Sequence, residues 1–62
     1  MTNSDVLKAI ARISLKEDTT SDMKDQLVKI QDEVSKMNPD IQANGGVVRE
    51  FMVASGYMNQ QN

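Results

Sequence analysis

Cysteine, histidine and tryptophan are absent from this 62-residue chain, proline occurs once, and Phe51 and Tyr57 are its only aromatic residues. Each absence excludes something. No disulfide can form without cysteine, and a structural zinc has lost its usual ligands. Nucleophilic and general acid-base catalysis in their familiar arrangements lose the thiol and the imidazole. No apolar run approaches the roughly 18 residues of a membrane span. The start, Met1-Thr2-Asn3-Ser4-Asp5, has neither the basic opening nor the apolar stretch of a signal peptide. Positive charge is not in excess either: seven Lys and Arg against nine Asp and Glu leave −2, which does not favour generic binding to phosphate backbones or anionic membranes. The expectation is a soluble, cytoplasmic protein with no membrane segment, cofactor or metal.

A chain of this length is at most one domain, and folding hides only about 60% of the surface that its unfolded form exposes. Domains in that position are commonly stapled by a disulfide, a metal or a second subunit. With the first two lacking their ligands, association is the staple that remains.

Three apolar-periodic segments are present, separated by two polar clusters. In the first, from about Ser4 to Lys16, Ser4 or Asn3 is placed to cap a helix and Asp5 sits in the first turn, where a carboxylate suits the dipole. At 100° per residue Val6, Leu7, Ile10, Ala11, Ile13 and Leu15 cover an arc of about 200°. This predicts a helix wedged between two neighbours. Lys8, Arg12 and Lys16, four residues apart, line its wet edge.

The cluster Glu17-Asp18-Thr19-Thr20-Ser21-Asp22 follows, with Thr19 and Asp22 spaced as a capping box and Ser21 or Asp22 as other possible caps. A second helix is predicted to about Met37. Met23, Leu27, Ile30, Val34 and Met37 alternate steps of four and three, the rhythm of helices that pack nearly parallel, and occupy only about 80° of the wheel. Asp25 with Lys29, and Asp32 with Lys36, are acid-before-base pairs at i, i+4. Val28 alone is apolar on the far side.

Asn38-Pro39 ends that helix and can open a short turn. Asn44-Gly45-Gly46 reads as the close of that turn and a hinge. Val47 to Ser55 reads as a third helix, with Gly56 at the stop position and Tyr57 folding back, although the β-branched residues leave a strand as the alternative. Asn59 to Asn62 is a polar tail expected to fray. The expected architecture is all-α: one small three-helix domain over 1–62, a helical hairpin from Ser4 to Met37 with a shorter helix across it.

Little in the chain carries chemistry. Asp22, Asp25, Asp32 and Glu33 fall on the wet sides of the second helix, where nothing desolvates a carboxylate towards catalytic use. A chain this small also has little room for a ligand pocket of about 300 Å³ or more. Asp40-Ile41-Gln42-Ala43-Asn44-Gly45 echoes the opening of an EF-hand loop, but the twelfth position is Phe51, not a bidentate Glu. A helix-turn-helix built from the first two helices would lay Asp22, Asp25, Asp32 and Glu33 near phosphates, which opposes it.

What remains is apolar surface. The expected function is non-enzymatic, stoichiometric protein-protein binding by a regulator, inhibitor or adaptor, with a protein partner, a homo-oligomer or both. Met23, Leu27, Ile30, Val34 and Met37 would form the contact seam, Phe51 and Tyr57 its aromatic anchors, and Lys8, Arg12 and Lys16 would steer an acidic partner. The alternatives are a small helix-turn-helix DNA-binding regulator and a structural subunit of a larger assembly. The length is that of many accessory proteins of bacteria and their phages.

Overall fold

Thr2 and Asp5 decide where the first helix begins. The Thr2 hydroxyl accepts the Asp5 N–H at 3.1 Å and the Asp5 carboxylate accepts the Thr2 N–H at 3.0 Å, a reciprocal capping box. α1 is therefore Asn3–Ser14 with Thr2 as its cap, one residue before the expected Asn3 and two before Ser4. The computed structural model describes residues 1–56, and among them the order is α1, α2 (Ser21–Ser35) and α3 (Gly45–Ala54). The all-α expectation holds, and the strand alternative for the last segment gives way to a helix.

Both ends of α1 are satisfied by chain from outside it. The first helical N–H groups have no intrahelical acceptor and need partners. Asn3 N–H finds the Ile41 carbonyl at 2.9 Å and Ser4 N–H the Pro39 carbonyl at 3.1 Å. The Asn3 side chain, 2% exposed, donates to the Asn38 carbonyl at 2.8 Å, and Ala43 N–H returns to the Met1 carbonyl at 2.8 Å. A single antiparallel bridge between Thr2 and Gln42 completes this contact. At the other end the buried Thr19 hydroxyl donates to the Ile13 carbonyl. Thr19 thus closes α1, not α2. The N-cap of α2 is its neighbour Thr20, which accepts the Met23 N–H at 3.2 Å.

α2 is the middle element, packed closely on both α1 and α3. The wheel argument assigned the wedged position to α1, and this is corrected. Of the broad α1 arc only Val6, Ile10 and Ile13 are buried; Leu7 is half-buried, Ala11 is exposed, and Leu15, beyond the last turn, is 86% exposed. The narrow stripe of α2 suffices for two neighbours because Leu27, Ile30 and Val34 project into the angle between them. These three join Val6, Ile10, Ile13, Ala43, Val47, Phe51 and Ala54 in one core. Val28 is 58% exposed, as its place on the wheel requires.

Asn44 caps α3, its Oδ1 accepting the Gly46 N–H at 2.8 Å. A Cβ at Gly46 would lie 3.2 Å from that oxygen, so the small residue lets the cap close. Gly45 and Gly46, expected as a hinge, are the first turn of α3. Gly56 takes φ +85°, the left-handed conformation that stops a helix. Tyr57, and the tail expected to fray, lie outside the described residues. Of the two expected ion pairs, Lys36 with Asp32 forms at 3.4 Å between well-exposed groups, where such pairs contribute little.

The Thr2 backbone N–H, and after it the Thr2 hydroxyl, hold the Asp5 carboxyl below the ordinary carboxylate value. A group with a depressed folded pKa stabilises the fold above its unfolded value, and that stabilisation disappears as pH falls through the folded one. Asp5→Asn should therefore lower the urea midpoint at neutral pH, with the gap to the wild type narrowing in acid. A constant gap from neutral to strongly acidic pH would show that the capping box contributes nothing through its charge.

Candidate functional site

The residues expected to meet a partner divide on folding. Leu27 and Val34 are 0% exposed, Ile30 5% and Phe51 4%, so the centre of the expected seam and its one described anchor are core side chains. This corrects their assignment to a contact surface. The helical wheel gave the correct face, but α1 and α3 of the same chain cover it. Met23 is half-buried beside the turn between α1 and α2, and Met37 is exposed at the end of α2. Tyr57 is outside the described residues.

Open grooves run between the helices of the described residues, and three of them bear on function. The largest of these three, about 590 Å³, lies between α2 and α3 and is lined by Gln26, Lys29, Ile30, Glu33, Gly46, Arg49, Glu50 and Val53. The expectation that so short a chain lacks room for ligand-sized space is corrected here: two helices leaning on a third leave furrows even when the core is small. Lys29 and Arg49 face Glu33 and Glu50, so this groove has no net sign. A second, about 270 Å³, lies at the end of α1 and sets Lys16 against Asp18.

The third groove differs in its charge. It lies between α1 and α3, measures about 320 Å³, and is lined by Met1, Ala9, Arg12, Ile13, Lys16, Phe51 and Met52. Ile13 and Phe51 form a closed apolar floor, while Met1 and Met52, 41% and 39% exposed, offer flexible thioethers. Arg12 and Lys16 stand on its rim, so two of the three expected steering cations meet an apolar surface, although Lys8 does not line it. No carboxylate lines it among the described residues. Sequence reasoning passed over Ala9 and Met52 as site residues. The available signal was the i, i+3, i+7 spacing of Ala9, Arg12 and Lys16, which runs along one side of α1 and just past its end.

The carboxylates of Asp22, Asp25, Asp32 and Glu33 are on exposed residues. A recognition-helix role for α2 would thus place four negative charges near DNA phosphates, and the structure lends it no support. No cluster of three or more metal-ligating side chains occurs among the described residues. In the segment resembling the start of an EF-hand loop, the Asn44 oxygen is committed to capping α3. No helix of the described residues is long and apolar enough to cross a membrane. No protein-family model, curated protein or solved structure matches this chain.

If the seam is core, Leu27→Ala should cost about 3 kcal/mol, a drop of well over ~10 °C in the melting temperature of a domain this small. Val28→Asp, one residue away on the exposed face, should stay within about 0.5 kcal/mol of the wild type. Circular dichroism melts check both, and equal effects of the two substitutions would contradict the assignment of faces.

Proposed function

We propose that the chain is a non-enzymatic binding module that acts in the cytoplasm by docking stoichiometrically on a partner protein. The observation that supports this most is the α1/α3 groove, where an apolar floor of Ile13 and Phe51 and the exposed thioethers of Met1 and Met52 adjoin Arg12 and Lys16. An apolar centre with a polar, charged rim is the composition of a protein-binding site. Met52 replaces the seam residues as the central contact. The charged rim governs encounter rate and choice of partner more than affinity.

This reading moves the contact surface from α2 to the junction of α1 and α3. A second copy of the chain is no longer needed to seal Leu27, Ile30 and Val34, since the chain seals them itself. Self-association then rests on the same exposed side chains as any other docking, and light scattering of the purified chain measures it. Whether docking inhibits, recruits or builds an assembly depends on the partner.

Affinity capture from native extract, with the bound protein identified and quantified, tests the reading. The wild type and Val28→Asp should retain a common partner in near-equal amounts. Met52→Asp should lose it by roughly tenfold or more, the effect of a central contact. Identical retention by all three, or by none, would contradict the assignment.

A further inference from the structure

We infer that the α1/α3 groove selects an acidic amphipathic helix of the partner, whose apolar side chain seats over Ile13, Phe51 and Met52 while two of its carboxylates meet Arg12 and Lys16. The inference rests on the protein-docking reading above and adds the chemistry of what docks. It begins from a comparison of the three grooves. Between α2 and α3 the cations Lys29 and Arg49 are balanced by Glu33 and Glu50, while Lys16 borders both remaining grooves and meets Asp18 only in the one at the end of α1. The α1/α3 groove has Arg12 and Lys16 and no acid among the residues lining it. No acid lies within four residues of Arg12 along the chain; Glu17 and Asp18 follow Lys16, and Asp18 lines the neighbouring groove instead. On a chain of net charge −2 this is a local reversal of sign, and it lies beside apolar side chains.

Spacing then favours a helix as the occupant. Arg12 is in the last turn of α1 and Lys16 lies two residues past its end, where the Lys16 N–H still bonds the Ile13 carbonyl at 3.1 Å, so their attachment points are about one helical turn apart. Carboxylates at i and i+4 of a docking helix repeat at the same interval, which lets both ion pairs form at once. Ala9, small and half-buried, lets the backbone of that helix come close. Met1 and Met52 adjust to whichever apolar side chain enters. An open furrow of about 320 Å³ accepts a protruding side chain more readily than it encloses a small molecule, for which that volume is near the lower limit. An anionic bilayer fits less well, because Val6, Ile10 and Ile13 of α1 are buried and leave no free amphipathic face to lie in an interface.

The probe is a fluorescein-labelled peptide of about 16 residues, long enough to hold a helix in water, with Glu pairs at i, i+4 flanking a central Leu. A second peptide replaces each Glu by Lys. Anisotropy titrations with the full chain should show the acidic peptide binding at low salt and weakening as salt rises. The Arg12→Glu/Lys16→Glu chain should bind it about tenfold or more weakly and should prefer the lysine peptide. Lys29→Glu, in the larger groove, should leave binding unchanged. Equal binding of the two peptides, indifference to the double reversal, or binding only to phosphatidylglycerol vesicles or duplex DNA would each overturn the inference. If a partner is captured in a Met52-dependent way but the acidic peptide does not bind, the docking reading stands and this inference falls.

Discussion

The fold depends on backbone donors at the start of α1 that cannot be left unpaired. A helix must find partners for its first N–H groups, and water or a side chain usually supplies them. Here Pro39 and Ile41 lend their carbonyls to Ser4 and Asn3, and Asn3 adds a side-chain bond to the Asn38 carbonyl. The exchange is mutual: Ala43, buried at the end of the connector, returns its own N–H to the Met1 carbonyl. It also ties together residues more than thirty positions apart, so the beginning of the chain sets the place from which α3 starts. From there Phe51 and Met52 reach the side of α1 that carries Arg12, with Lys16 just past its end.

Burial supplies the driving force that this scaffold directs. The stripe of Leu27, Ile30 and Val34 serves two neighbours at once, an economical use of apolar residues in a chain that has few. Two helices supported by one leave furrows along their junctions. Those furrows differ in sign because the side chains outside the stripe were free to vary. Folding and docking therefore draw on different residues: the interior of α2 for the first, the rims of α1 and α3 for the second.

Periodicity showed some of this and missed the rest. The three helices, the exposed position of Val28 and the stop at Gly56 were legible, because apolar spacing and a glycine beyond the last turn report directly on helix faces and ends. The caps fell a residue or two away from their expected places. In runs such as Thr2-Asn3-Ser4 and Thr19-Thr20-Ser21 every member can cap, and tertiary hydrogen bonds choose among them. Thr19 was assigned to α2 because it precedes it, yet the Ile13 carbonyl claims it. The larger error concerned what covers the α2 stripe. A wheel defines a face but not its occupant, and nothing local in Asn38 to Ala43 announces that this segment will dock under the start of α1 and bring α3 over the seam.

Native-state amide hydrogen exchange at Asn3 and Ser4 tests the closure of the fold most directly. First-turn amides that bond only to solvent exchange almost as fast as in an unfolded chain. Bonded to Ile41 and Pro39, they should open only with the whole molecule, at the free energy measured for Leu27 and Val34 in α2. Exchange of Asn3 and Ser4 at the unprotected rate, while α2 remains protected, would show that the connector does not hold α1 and would contradict this account of what positions the groove.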